Sequence, residues 1–104
     1  MKQKIIFIAC FLFVTIVSFS QNKDLFQKKV FVYEGKELPY RILYPENYDH
    51  SKKYPLIMFL HGSGERGTDN ELQLVHGASL FLKEENRKQF PAIVIFPQCP
   101  ANSF

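Results

Sequence analysis

The chain has 104 residues, of which 46% are apolar, 15% aromatic and 22% charged, with a formal charge of +3. That composition excludes a disordered or collagen-like chain, and the length allows one domain at most. The first 20 residues hold two of the 13 basic side chains and no acid, which leaves 11 basic and 10 acidic residues and a charge of +1 for the other 84. So near-neutral a domain has no electrostatic footing for a nucleic acid or an anionic membrane surface. A domain of that size buries only roughly 60–65% of its unfolded surface and is marginal.

Residues 1–20 read as a cleavable export signal. Lys2 and Lys4 precede an apolar run over residues 5–17 that only Thr15 interrupts, and Ser18-Phe19-Ser20 supplies the small-x-small exit. Cleavage is expected after Ser20, leaving residues 21–104 as a secreted or periplasmic domain with no membrane attachment. A membrane anchor would need about 20 apolar residues, and a lipoprotein signal at Cys10 would have too short an apolar lead. Export implies an oxidising compartment, in which Cys99 stands single once Cys10 is lost. It is either a small buried apolar residue or half of a disulfide whose partner lies elsewhere.

Residues 29–33 (KVFVY) are β-branched and aromatic, and residues 34–37 (EGKE) form a polar turn. Residues 38–44 follow, with Tyr40, Ile42 and Tyr44 on one face at period two, so the two runs predict an antiparallel hairpin. After a polar connection, Pro55 opens residues 56–60 (LIMFL), a continuous apolar run that suits a strand buried on both faces. Pro91 opens a second such run, residues 92–96 (AIVIF). About 30 residues separate the two runs, enough for a right-handed crossover containing a helix. Thr68-Asp69-Asn70-Glu71 fits a capping box, with the threonine oxygen and the glutamate satisfying the first orphan amides. Leu72, Val75, Ala78 or Ser79, and Leu82 then recur at helical spacing. Gly77 sits inside that pattern at a cost of about 1 kcal/mol relative to alanine and is a point where the helix can split. The order β-β-β-α-β is an α/β design.

The chemistry concentrates in residues 61–67 (HGSGERG), at the carboxyl end of the first buried strand, where ligands bind in open α/β sheets. Gly62-Ser63-Gly64-Glu65-Arg66-Gly67 matches the G-x-G-x-x-G dinucleotide fingerprint. The capping signal, however, starts the helix beyond the glycines, and the next strand ends without an acid for a ribose. No cofactor is expected. Ser63 fails as a nucleophile elbow because His61 stands where G-x-S-x-G needs glycine; Ser79 fails because Phe81 holds the last position. A third reading is an oxyanion hole, in which glycines let backbone amides face a developing negative charge. A tight turn without a ligand is the fourth. His50 and His76 have no metal-ligand spacing around them and are expected to face solvent, so no metal site is predicted.

The stretch from Tyr54 through Gly67, with Asp69-Asn70-Glu71 and the later Phe96-Pro97-Gln98-Cys99-Pro100, resembles secreted α/β-hydrolases of the predicted-peptidase and polyhydroxybutyrate-depolymerase-like type. Acetylxylan, feruloyl and dienelactone-hydrolase-like enzymes are related to these. The resemblance runs from about Val30 to the last residue. It implies hydrolysis of carboxylic esters or amides through an acyl-enzyme on a serine. Carried onto this chain, it makes the Ser63 and Gly64 amides oxyanion donors, with His61 and Gly62 supporting the loop. Glu65 and Arg66 either pair to hold the loop or form a solvated ion pair. The family's strand order, 1-2-4-3-5-6-7-8, makes these residues strands 1–4 and the first helix of an incomplete sheet. The nucleophile, acid and base come later in that fold, so none is in this chain. The 104 residues alone are therefore expected to be inactive, and the bare apolar edge of the third strand to make them poorly soluble. The alternative is a non-catalytic secreted binding or structural module that keeps a hydrolase-like loop. An open frame with G-x-S-x-G within the next ~100 residues beyond Phe104 would decide for the enzyme.

Overall fold

The computed structural model describes residues 22–102. The proposed signal and its cleavage point lie outside them. Strand β1 (Gln27–Tyr33) pairs antiparallel with β2 (Lys36–Leu43). Glu34 and Gly35, both at positive φ (49° and 73°), make the two-residue turn between them. Two left-handed residues give the turn whose twist matches that of the flanking strands. The connection is thus shorter than the four-residue loop expected, and Lys36 and Glu37 belong to the second strand.

Strand β3 (Leu56–Met58), helices α1 (Ala78–Leu82) and α2 (Glu84–Gln89), and strand β4 (Ile93–Pro97) follow. The sheet order is β1-β2-β4-β3, with β3 parallel and β2 antiparallel to β4. The last strand in sequence therefore fills the gap between two earlier ones. The register sets the faces: Arg41 lies opposite Phe96, Leu43 opposite Val94, and Ile42 opposite Ile95. The Arg41–Leu43 face is buried, whereas Tyr40, Ile42 and Tyr44 are only half-buried.

The core packs against that face. Phe26, Leu43, Leu74, Ala78, Val94 and Phe96 are buried, with Phe59, Phe81 and Leu82 against them. Phe96 is the hub: its ring stacks on Phe59 at 4.6 Å and meets Phe26 and Phe81 edge-on at 5.0 and 5.8 Å. Such pairs add about 0.5–1.5 kcal/mol each beyond the area they bury.

Two expectations are corrected here. Residues 68–82 are not capped as one helix from Thr68: a 3-10 turn over Leu72–Leu74 precedes α1, and the two are separated at Gly77 (φ +86°), the point where a split was expected. A Cβ at Gly77 would lie 2.6 Å from the Phe59 ring, so glycine there serves both the turn and the aromatic stack. The residues that cap the turn also differ. Asp69 Oδ1, not Thr68, accepts from the Glu71 and Leu72 amides at 3.1 and 3.3 Å. The second correction concerns the double-sided burial read from the run 56–60: β3 is exposed along its length and stands at the sheet's edge among the described residues, where the order 1-2-4-3 put it. Leu56, Ile57 and Met58 are not buried on both faces.

Candidate functional site

Residues 61–67 leave the carboxyl end of β3. Gly62 is extended (φ −80°, ψ 173°) and Ser63–Glu65 turn once as a 3-10 helix. The Glu65 amide donates to the Gly62 carbonyl at 3.2 Å, while the Ser63 and Gly64 amides, at the start of the turn, have no acceptor among the described residues. Ser63 and Gly64 are exposed. The first amides of any helical turn lack internal partners, which makes them available donors.

His61 and Gly62 lie where the loop begins. The Cys99 amide donates to His61 Nε2 at 2.9 Å, which assigns the ring proton to Nδ1, 2.6 Å from the Gly62 carbonyl. Both ring nitrogens of the neutral imidazole are thereby occupied. The Gly67 amide closes the other end of the loop by donating to the Cys99 carbonyl at 3.0 Å. Glu65 reaches His76 Nε2 through Oε1 at 3.1 Å, and Arg66 Nε donates to the Ser63 carbonyl at 3.2 Å. His76 is exposed, as expected, yet it has this carboxylate beside it.

Beneath the loop lies a buried polar cluster that joins the Asp69-Asn70-Glu71 and Pro97-Gln98-Cys99-Pro100 motifs to Arg41, a grouping the sequence did not reveal. Gln98 is fully buried; its Oε1 accepts from the Asn70 amide at 2.7 Å, and its Nε2 donates to Asp69 Oδ1 at 2.7 Å and to the Glu65 carbonyl at 3.2 Å. Asn70, at φ +55°, donates through Nδ2 to the Lys29 and Tyr40 carbonyls and accepts from Gln73 Nε2. Arg41 is 3% exposed; it donates to the Asn70 and Phe26 carbonyls, each at 2.6 Å, and pairs with Glu71 at 2.6 Å. A buried guanidinium is tolerated only when paired and hydrogen-bonded. The Gln98 amide, assisted by the Glu71 amide, holds the Asp69 carboxyl below its ordinary value. Lys28, followed by the Arg41 charge, does the same for Glu71. A signal was present in the sequence: Arg41 shares a face with apolar Leu43 in an alternating strand.

No group of three or more potential metal ligands occurs among the described residues. A hollow of about 270 Å³ lies away from the loop, lined by Ile57, Leu80, Phe81, Phe90 and Val94 among others, with Arg87 its one charged residue. It offers apolar contact but none of the donors gathered at residues 61–67. Cys99 is half-buried and makes no disulfide among the described residues.

No family model matches the chain. Over 53 residues it is 38% identical to an Aspergillus terreus protein described as "Probable dipeptidyl-peptidase 5", covering 49% of this chain and 7% of that protein. A 21-residue stretch is 71% identical to "Dipeptidyl-peptidase 5" of Aspergillus fumigatus, covering 20% of this chain and 3% of that one. The crystal structure of a thermostable esterase superimposes with a TM-score of 0.70 and 43% identity, over 77% of this chain and 22% of the esterase. This chain therefore spans under a quarter of the esterase and less than a tenth of the peptidases. With the mixed four-stranded sheet, these likenesses mark a hydrolase-like region consistent with part of an α/β-hydrolase fold.

Proposed function

We propose that residues 21–104 are the amino-terminal part of a secreted serine hydrolase acting on carboxylic esters or peptide bonds. In this reading the Ser63 and Gly64 amides form its oxyanion hole. One observation carries the reading: two adjacent exposed amides, without acceptors among the described residues, on a loop tied down at both ends. Such donors stabilise the negative charge that builds on a carbonyl oxygen during acyl transfer, and they are effective because they need no reorganisation. His61 braces the loop, since both of its ring nitrogens are engaged. Gly62 lets the chain enter the turn beside the Glu65 carboxylate, whose Oε2 would lie 3.0 Å from a Cβ there. The nucleophile, acid and base are supplied from outside these 104 residues, and the esterase and peptidase relatives suggest the substrate classes.

The test separates the Ser63 amide from its hydroxyl, in the complete protein to which these residues belong. Ser63→Pro deletes the N–H together with the hydroxyl, and the extended Gly62 before it already suits a following proline. Ser63→Ala keeps the N–H. With a nitrophenyl ester, kcat is expected to be about 10²–10³ lower for the proline variant than for the alanine variant, at similar KM. Equal kcat values would remove Ser63 from the oxyanion hole. No turnover sensitive to a serine-directed phosphonate in the unaltered protein would favour a non-catalytic module. Export is checked separately by amino-terminal sequencing of the mature protein, which should begin at Gln21.

A further inference from the structure

The P-Q-C-P motif stands 30 residues from the glycine-rich loop in sequence, and the hydrolase reading alone gives it no task. The geometry points to one: we propose that the Gln98 side-chain amide is the positioning residue for the loop, fixing the direction of the Ser63 and Gly64 amides through the Glu65 carbonyl. This rests on the oxyanion reading above.

The atoms support it in three steps. Gln98 is held from below by main chain, its own amide donating to the Pro39 carbonyl at 2.9 Å and its Oε1 accepting from Asn70 at 2.7 Å. A side chain anchored in this way has lost its rotamer freedom before it meets the loop. Its Nε2 then spends both protons upward, one on Asp69 Oδ1 and one on the Glu65 carbonyl. Glu65 is the last residue of the turn that begins at Ser63, so fixing the Glu65 peptide fixes the plane of the turn. Finally, Gly67 lets the loop pass close over this amide, since a Cβ there would lie 3.3 Å from Gln98 Nε2 and crowd it. Cys99, the next residue, fastens His61 and Gly67, the two ends of the same loop. Gln98 and Cys99 thus hold the loop at its beginning, middle and end.

Gln73 provides the contrast. It is equally buried, yet its Nε2 donates to the Asn70 side chain and the Phe96 carbonyl, and no bond from it reaches residues 61–67. Burial of a glutamine is therefore not enough; the bond to the Glu65 carbonyl inside the loop sets Gln98 apart.

The experiment compares Gln98→Met, which keeps length and removes both donors, with Leu43→Ala, a core truncation remote from the loop, in the complete protein. Hydrogen–deuterium exchange is followed in peptides covering residues 61–67 and β2. For Gln98→Met, exchange over 61–67 should quicken about tenfold or more while β2 changes little; Leu43→Ala should quicken both together. If Gln98→Met does not fold, Asp69→Ala removes one of the two loop-side partners at an exposed position and should give a smaller effect of the same pattern. Ester turnover is the second readout, where kcat should fall about tenfold with KM nearly unchanged. Loop exchange that is unaltered, or that rises only in step with β2, overturns the proposal. Faster loop exchange with unaltered kcat keeps Gln98 as the loop's positioning residue and rejects the oxyanion hole instead.

Discussion

At the carboxyl ends of β3 and β4, Arg41, Asn70, Gln73 and Gln98 are buried among hydrogen bonds, whereas along β3 and just beyond it Leu56, Met58 and Leu60 are 63%, 57% and 71% exposed. The same short sheet carries both. A buried polar group without a partner costs about 1–3 kcal/mol, so the loop end must find partners within its own residues. It does so for every buried side-chain atom of that cluster except Gln73 Oε1. Exposed apolar groups meet no such demand; they forgo about 25 cal/mol per Å² of burial and leave a template for aggregation. The loop's shape is therefore a property of residues 22–102 themselves, while the edge is not completed by them.

The strongest way to break this contrast is Phe96→Ala. Phe96 contacts three other rings and accepts Gln73 at its carbonyl, so both regions depend on it. A loss of about 3–5 kcal/mol is expected in urea unfolding; a loss below 1 kcal/mol would mean that the aromatic hub is not the common support. Gly77→Ala comes next, at about 1–3 kcal/mol, because it combines positive φ with a clash against a stacked ring. Thermal unfolding reads it, and an unchanged midpoint would contradict the close approach to Phe59. Arg41→Met attacks the polar end alone. It orphans the Asn70 and Phe26 carbonyls but leaves Glu71 exposed to water, so about 1–3 kcal/mol should be lost. Were this variant more stable than the parent, the cluster would serve specificity instead. Leu56→Lys probes the other side: stability should stay within about 0.5 kcal/mol while concentration-dependent light scattering falls. Unchanged scattering would clear the edge of blame.

Acidity gives the smallest expected effect. Asp69 and Glu71 both titrate below their ordinary values of 3.8 and 4.5 when folded. Their contribution is present in full above the unfolded values and is lost as pH falls through the folded ones. Both carboxylates are largely solvated, so screening keeps the effect small. Urea midpoints measured between pH 6 and 3 should hold steady and then decline below about pH 4.5, and Asp69→Asn should shrink that decline.

The hairpin and the placing of the four strands with helix between the last two were legible because period-two alternation, turn glycines and continuous apolar runs are local signals; the separate α2 was not expected. The helix start was misjudged for an equally local reason. Asn70 adopts a left-handed conformation, which turns the Glu71 and Leu72 amides toward Asp69 and away from Thr68. The glycine-rich loop was visible as composition; its fastening was not. Arg41 shares an alternating face with Leu43, and Gln98 belongs to the P-Q-C-P motif, but neither signal says what the side chain bonds. What they bond to is 29 residues away for Arg41 and Asn70, and 33 for Gln98 and Glu65. Only the parallel crossover brings such partners together.

The sheet order also has a bearing on synthesis. A ribosome releases β1, β2 and β3 before β4, yet β4 is the strand that joins β2 to β3. A nascent chain that stops at Phe90 can close its hairpin, but β3 has no neighbour and the glycine-rich loop has neither Gln98 nor Cys99 to hold it. Non-local pairing of this kind is slow and exposes apolar surface while it waits. Sheet closure and loop fastening should therefore arrive in a single step. Arrested chains of increasing length would display it as protection of the Gly67 amide that begins only when Cys99 has emerged.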